Sequence, residues 1–549
     1  MNSIYILLFG IVWFVFAYFW YGNVIKKRLI SSNDSNPTPS NRINDGKDYV
    51  PTKPSILFGH HFSSIAGAGP IVGPIIAFAL FGWLPALIWV AVGSVFMGAV
   101  HDYSAMMVSV RNEGKSIVEI TEKAVSPLAR NIFSIFVWLA LVLVIAVFTD
   151  LTVKTFMEGP GIIFPTFGLI AVASAFGFMV YRLKMNSALA TVISLALIFL
   201  LIIFGSQYEI KIDSPHAGLI WTVIILVYAY VASTLPVWML LQPRDYLSMY
   251  ILVAGLVLGF AGMVVLRPEI NAPAFVSFDS KMGPMFPILF ITIACGAISG
   301  FHSLVSSGTS AKQLNVESDG KKVAFGSMLT EGFLALLVIA MVASVFSWEG
   351  NNVGLINFGE LFKKGPTIVF GNAFGISVES IGIPLASGIS FGILMLNAFI
   401  LTTLDTSTRL NRYIVHETLG EKVGGIFKNR HFAAGASVIA AFLLLETGGY
   451  SVLWHTFGAA NQLIAAMALF VITSYYLGIK APTKYTLTPA FIMLIIVETA
   501  LAYNIIATYI PRQDWLLASI SAALFILGLV VAWESTKRIR TLKSENKSR

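Results

Sequence analysis

The chain has 549 residues, of which 56% are hydrophobic and only 12% charged. Soluble proteins carry about 25% charged residues, so this composition excludes a soluble globular protein. The net charge of +8 is explained below by where the basic residues lie, and no nucleic-acid partner is expected.

Apolar runs of roughly twenty residues predict about fifteen membrane helices, over 4–24, 61–81, 84–108, 131–152, 160–181, 187–206, 217–241, 247–266, 284–310, 323–348, 381–404, 432–447, 452–478, 486–509 and 515–535. No basic residue precedes the first, and Lys26, Lys27 and Arg28 follow it without a small-residue cleavage site. It reads as a retained anchor rather than a leader. Residues 31–44 are rich in Ser, Asn and Pro and read as a linker. The segment 349–380 reads as external and mixed, with a short interfacial helix, and the residues after Trp533 as a basic tail near anionic lipid. With the N-terminus outside, only Lys154, Lys211, Arg267, Lys281, Lys363, Lys364 and Arg512 of the 36 Lys and Arg face outward. This bias fits an inner-membrane protein with a cytoplasmic C-terminus. The single cysteine, Cys295, excludes an intramolecular disulfide and a Cys-based metal site.

The helix 61–81 opens with GHHFSSIAGAGPIVGP, Gly59 to Pro74. Its glycines and prolines predict a break within the bilayer at Ala66 to Pro74. Freed amides and carbonyls are tolerated only where they are buried or line a cavity, and in secondary transporters that is where solute and ion bind. Ala66, Gly67, Ala68, Gly69 and Pro70 are therefore candidate solute-binding residues. Past the first helix, five helices over 59–206 start inside and five over 217–404 start outside, the parity of an inverted repeat. In the helix 217–241, Ser233 and Thr234 ahead of Pro236 predict the matching break, which adds Thr234 and Trp238 to the candidate solute site. The domain plan is an anchor and linker (1–58), two five-helix repeats (59–206 and 217–404), additional membrane helices (405–535) and a basic cytoplasmic tail (536–549).

In the helix 284–310, Ser299, His302, Ser303, Ser306 and Ser310 share one helical face, and such a polar stripe must meet protein or water. Ser303, Ser306, Ser307 and Thr309 offer hard oxygen ligands to a sodium ion, together with carbonyls of Ser64 to Gly67. The same residues equally suit close helix packing with hydroxyls bonded to i−4 carbonyls. His60, His61, His101, Asp102 and His302 fall at similar depth and are the proton alternative; as plain structure they are buried groups satisfying one another. Their spacings match no metal motif, so no metal beyond sodium is expected. Gln242, Arg244 and Asp245 end one helix, and Asp405 and Arg409 follow another. These are candidates for an inner gate, although arginines at inner helix ends also anchor topology. Glu331, Glu446 and Glu498 are membrane carboxylates with no assigned role. No catalytic motif sits in a supporting context, which argues against an enzyme.

Six long motifs resemble the carbon starvation protein A (CstA) family: Asp48 to Pro74, HDYSAMMVSVRNEGKS (His101 to Ser116), LLQPRDYLS (Leu240 to Ser248), GAISGFHSLVSSGTSAKQL (Gly296 to Leu314), TTLDTSTRLNRYI (Thr402 to Ile414) and WHTFGAANQLIAA (Trp454 to Ala466). They occur in order over nearly the whole chain. The resemblance implies an all-α polytopic protein of the bacterial inner membrane. Its fold would be the LeuT-type core of the amino acid–polyamine–organocation superfamily, a 5+5 inverted repeat with one extra N-terminal helix and several extra C-terminal ones. It also implies uptake of small peptides or of pyruvate-like carboxylates during carbon starvation. The expected partners are that solute and the lipid bilayer, with a proton or sodium as coupling ion, no cofactor, and the oligomeric state left open. The rival functions are an uncoupled channel or facilitator and a membrane starvation sensor, the latter disfavoured because no soluble output domain is present.

Overall fold

The computed structural model describes the whole chain except Lys47, Ser206, Val237, Trp238, 349–354, Glu417, 419–423, 446–449 and Arg549. The solute-site candidate Trp238 and the carboxylate Glu446 thus lie outside the described residues. Among the described residues, twelve helices are long and apolar enough to cross a membrane, and the bent pair Pro54–Ile65 and Gly69–Phe81 makes a thirteenth span. The 16-residue helix Arg430–Leu445 and the segment from Met285 to Gly308 account for the remaining two expected spans. Capping defines the turn after Trp83–Val110: Ser116 Oγ accepts from Glu119 N at 3.2 Å to start Ile117–Ala124, and Ser126 Oγ accepts from Ala129 N at 3.1 Å to start Pro127–Glu158.

The first break is where the glycines predict it. Pro54–Ile65 and Gly69–Phe81 are bent by 43°. Ala66, at φ −74° and ψ 66°, centres an inverse γ-turn in which Gly67 N donates to Ile65 O at 2.8 Å. Pro70 then sits in the first turn of the new helix, where its missing N–H leaves no bond unmade.

The second break is elsewhere than expected. Ala217–Thr234 runs without interruption, and Leu235 turns extended ahead of Pro236, as a residue before proline prefers. The Ser233–Pro236 stretch ends this helix instead of splitting it. Gln242, Arg244 and Asp245 consequently open the next helix, Leu241–Leu266, rather than closing the previous one. The helix expected over 284–310 is instead two pieces, Met285–Thr292 and Gly300–Gly308, with Ile293 to Ser299 non-helical between them. Ser299 falls outside helical geometry and Ser310 opens a separate 3-10 turn, so the predicted polar face shrinks to His302, Ser303 and Ser306 on one short helix.

The two broken helices lie against each other in opposite directions. Met285–Thr292 packs on Gly69–Phe81, and Gly300–Gly308 packs on Pro54–Ile65. Glycines permit this approach: a Cβ on Gly69 would lie 2.4 Å from Cys295 Sγ, and one on Gly73 would lie 2.6 Å from Thr292 O. Leu241–Leu266 braces Pro54–Ile65, while Tyr450–Gly478 braces both pieces of the second broken helix. Pro127–Glu158, Ala217–Thr234, Leu385–Val415 and Arg430–Leu445 pack together as a separate quartet. Ile163–Tyr181 and Ser187–Gly205 form a hairpin of neighbours between the first two quartet members in sequence.

Three peripheral expectations change. The segment 349–380 holds the short helix Phe358–Lys363 and a longer one, Pro366–Glu379, which is buried against Leu385–Val415 through Gly371, Gly375, Gly388 and Gly392. The basic tail continues the helix Trp515–Ser548. The linker is a strap: Asn33 N donates to Glu317 Oε2 (2.9 Å), Thr38 Oγ1 to Asn315 O (3.0 Å), Ser40 Oγ to Leu314 O (2.7 Å) and Thr52 N to Gln313 O (3.1 Å). Arg111 Nη2 meets the same Glu317 at 2.9 Å.

The glycine contacts predict a contrast. A Cβ on Gly458 would lie 2.2 Å from the backbone oxygen of Ile291, whereas one on Gly435 meets nothing within 4 Å. Gly458→Ala is expected to cost about 3 kcal/mol by overpacking, and Gly435→Ala to be neutral or stabilising by up to ~1 kcal/mol. Unfolding midpoints in mixed micelles check both, and equal midpoints for the two variants would refute the contact.

Candidate functional site

Four buried ionisable side chains meet beside the second break. His101 and Asp102 come from Trp83–Val110, His302 from Gly300–Gly308 and Glu331 from Gly326–Val345. All four are fully buried. Asp102 Oδ1 is 2.7 Å from His101 Nδ1, and Asp102 Oδ2 is 2.9 Å from His302 Nδ1. The far side of the same imidazole, His302 Nε2, stands 3.4 Å from Glu331 Oε2. That last distance is an ion-pair separation rather than a hydrogen bond, and neither Glu331 oxygen has a hydrogen-bond partner among the described residues. A carboxylate–imidazole–carboxylate row of this kind can hold one proton in several places, because imidazole accepts on one nitrogen while donating from the other. Charges in a membrane interior persist only when paired in this way.

The other predicted residues are distributed more widely. His61 Nδ1 bonds to Ser310 Oγ at 2.8 Å, not to Asp102. The carbonyl of His60 accepts from Ser64 Oγ at 2.7 Å and from Ser63 Oγ at 3.1 Å. Ser303 Oγ donates to Gly300 O at 2.7 Å. Ser307 Oγ donates to Ser303 O at 2.6 Å and accepts from Ile117 N at 3.0 Å, so it ties down the chain after Trp83–Val110. Ser306 Oγ is buried without a partner among the described residues. Thr309 is the residue at which Gly300–Gly308 ends. Ala66 to Pro70 are buried at the first break. There a Cβ on Gly67 would lie 2.7 Å from Thr403 Oγ1. The hydroxyl facing this break therefore comes from Leu385–Val415. Thr234 is half-buried at the end of an unbroken helix, bonded to Val231 O at 2.9 Å.

Freed backbone at the second break is held by the motif WHTFGAANQ. Asn461 Oδ1 accepts from Phe301 N at 3.0 Å, and its Nδ2 donates to Ser299 Oγ at 3.0 Å. Gln462 Nε2 donates to Phe290 O at 2.7 Å, and Trp89 Nε1 to Ile293 O at 3.1 Å. Neither amide is a candidate in sequence; the signal available was two adjacent carboxamides inside an apolar helix, which must find buried partners.

The expected ion-pair group divides. Arg244 makes a two-pronged contact with Asp405, with Nη2 2.9 Å from Oδ1 and Nη1 on Oδ2. Its Nη1 also donates to Tyr228 OH at 2.6 Å, and Asp245 stands 3.4 Å away. Arg244, Asp245 and Asp405 are all buried. Gln242 lies apart and accepts from Tyr181 OH at 3.2 Å. Arg409 does not join the pair either. Its Nη2 donates to Ala232 O and Leu235 O at 2.9 and 2.8 Å, which caps the end of Ala217–Thr234. Glu498 is buried opposite Gly528, with both oxygens lacking a partner among the described residues.

Comparison with known proteins agrees with this architecture. MhsT, solved in complex with L-phenylalanine, superposes with a TM-score of 0.50 at 14% identity, covering 88% of this chain and 99% of that one. That likeness concerns fold alone, and the fold is the LeuT type. The "Peptide transporter CstA" of Bacillus subtilis (strain 168) is 32% identical over 98% of this chain and 97% of its own length. The "Pyruvate/proton symporter BtsT" of Escherichia coli (strain K12) is 31% identical over 92% of this chain and 82% of its own. The family model described as "Carbon starvation protein CstA" matches residues 2–357 and 351–502. Since that match spans the buried cluster, both breaks and the Arg244–Asp405 pair, the chain belongs to the carbon starvation protein CstA family.

Proposed function

We propose that this multi-pass transporter imports a small solute bearing a carboxylate, a short peptide or pyruvate, in symport with protons. The observation that carries the proposal is the row Glu331, His302, Asp102 and His101, which abuts the second break. A proton there changes the charge of a helix that packs directly on the first break. The amides opening Gly69–Phe81 suit the solute's carboxylate, with Ala66 to Pro70 as its bed. Arg244, Asp245, Asp405 and Tyr228 form a latch between Leu241–Leu266 and Leu385–Val415. The positive-inside distribution supports an N-terminus outside and a C-terminus in the cytoplasm of a bacterial inner membrane. In place of repeats at 59–206 and 217–404, the antiparallel broken helices support units of 54–266 and 285–478, the first carrying the hairpin 160–205 as an insertion. The relatives' names contribute the two solute classes.

A sodium-coupled version has one observation in its favour: Thr403 Oγ1 faces Gly67 at the first break. The test is uptake of labelled pyruvate and of a labelled dipeptide into proteoliposomes, under a proton gradient, a sodium gradient or neither. Accumulation of one solute under the proton gradient alone is expected. Sodium-driven accumulation would move the coupling site to Thr403, and equilibration without accumulation would make the protein a facilitator.

A further inference from the structure

A polar cavity of about 130 Å³ lies away from both breaks, lined in part by Lys281, His455, Tyr503, Asn504, Ala507 and Arg512. Its cover is the two-stranded turn Asp279–Ser280 and Gly283–Pro284, which leads into Met285–Thr292. Gly283 sits so close to Tyr503 that a Cβ there would be 2.5 Å from the ring. Its floor comes from Tyr450–Gly478 and from Asn504–Tyr509.

Three features of this cavity point to an anion. Two of the seven basic residues assigned to the outer face, Lys281 and Arg512, line it, and no Asp or Glu does among the described residues. Both cations are exposed at the rim. Beneath them, His455 and Asn504 are only 9% and 2% exposed, and His455 Nε2 and Asn504 Nδ2 have no hydrogen-bond partner among the described residues. Buried polar groups are nearly always satisfied, by protein, ordered water or ligand, so these two groups offer hydrogen bonds to whatever polar species fills the cavity. An amide donor and an imidazole nitrogen below a pair of cations offer the hydrogen bonds and charge that a carboxylate accepts. Tyr509, whose OH pairs with Thr456 Oγ1, stiffens the floor. We propose that this cavity is a second carboxylate-binding site, at the outer mouth of the transporter and separate from the broken helices. Its cover is continuous with the second broken helix. The proposal rests on the orientation given above for which face is outer, but not on any solute being transported.

Cysteine reactivity tests it without transport. The only native cysteine, Cys295, is buried, so Ala507→Cys places one reactive thiol in the cavity wall of the full chain. In detergent, the anionic ethylsulfonate methanethiosulfonate reagent is expected to label this thiol about tenfold faster, relative to its trimethylammonium counterpart, than in the Lys281→Gln/Arg512→Gln background. Millimolar acetate or pyruvate is expected to slow labelling, and the double substitution to abolish that protection. Absence of protection, protection that survives the double substitution, or equal protection by chloride and phosphate would each overturn the carboxylate site. A working transporter with an unprotected thiol would leave the function proposal standing while removing this one.

Discussion

Glu331→Gln is expected to abolish proton-driven accumulation while leaving solute exchange within about threefold of the unsubstituted protein. The amide keeps the volume of the carboxyl, so the packing around this fully buried residue is unchanged, and volume-conserving changes cost little in a dense core. What is lost is a proton acceptor 3.4 Å from His302 Nε2. Exchange needs the solute site and the conformational change but no net proton movement, whereas accumulation needs the proton to load and unload. Counterflow and gradient-driven uptake in the same proteoliposomes separate the two. Equal loss of both would make Glu331 a structural acid, and retention of both would remove the row from the mechanism. Asp102→Asn is expected to be harsher, because Asp102 serves both imidazoles at 2.7 and 2.9 Å. Breaking a buried pair on one side typically costs ~3–5 kcal/mol.

The second large effect concerns Arg244. Arg244→Ala removes the cation in contact with both Asp245 and Asp405 and leaves two buried carboxylates facing each other across its vacated space. A loss of ~3–5 kcal/mol in unfolding free energy is expected. Asp405→Asn leaves Arg244 with Asp245 and Tyr228 and is expected to cost less than half as much. The double variant Arg244→Ala/Asp405→Asn should recover part of the deficit, with a coupling energy of ~1–3 kcal/mol. Additive single effects in a double-mutant cycle would show that the contact adds nothing to stability. Arg244→Lys is expected to resemble the alanine variant more than the parent, since an ammonium cannot reproduce the two-pronged contact.

Much of this organisation was legible in sequence, for reasons that differ by element. The span positions follow from hydropathy, which is summed over some twenty residues and tolerates local error. The first break was legible because Gly67, Gly69 and Pro70 carry it in their own backbone preferences. The second was not. Residues 293–299 read IACGAIS, small residues that a membrane helix accommodates, and the interruption is stabilised by Asn461, Gln462 and Trp89 from elsewhere in the chain. Pro236 misled in the opposite sense, because proline signals a discontinuity without saying whether a helix bends or stops. At the site, His101, Asp102 and His302 were recognisable as ionisable groups at a shared depth. Glu331 could not be joined to them, since its rotation toward His302 depends on how two helices pack. The same applies to Thr403, whose hydroxyl faces Gly67 across more than three hundred residues of sequence.

The strap between the first helix and the first broken one has a consequence for how the protein is made. Its anchors at Gln313, Leu314, Asn315 and Glu317 lie 261 to 284 residues downstream of Thr52, Ser40, Thr38 and Asn33. Translation at about 5–20 residues per second separates the two ends by roughly 13 to 57 seconds. During that interval the first fifty residues emerge, their hydrophobic stretch enters the bilayer, and the polar stretch behind it has nothing to rest on. Residues 33–52 are thus made well before the residues 313–317 that hold them. Closing so long a loop adds only a logarithmic entropic cost, so the delay is one of timing rather than of final stability. For the nascent chain, residues 31–52 are an interval of exposed polar backbone open to chaperones and proteases until the ribosome has passed Glu317.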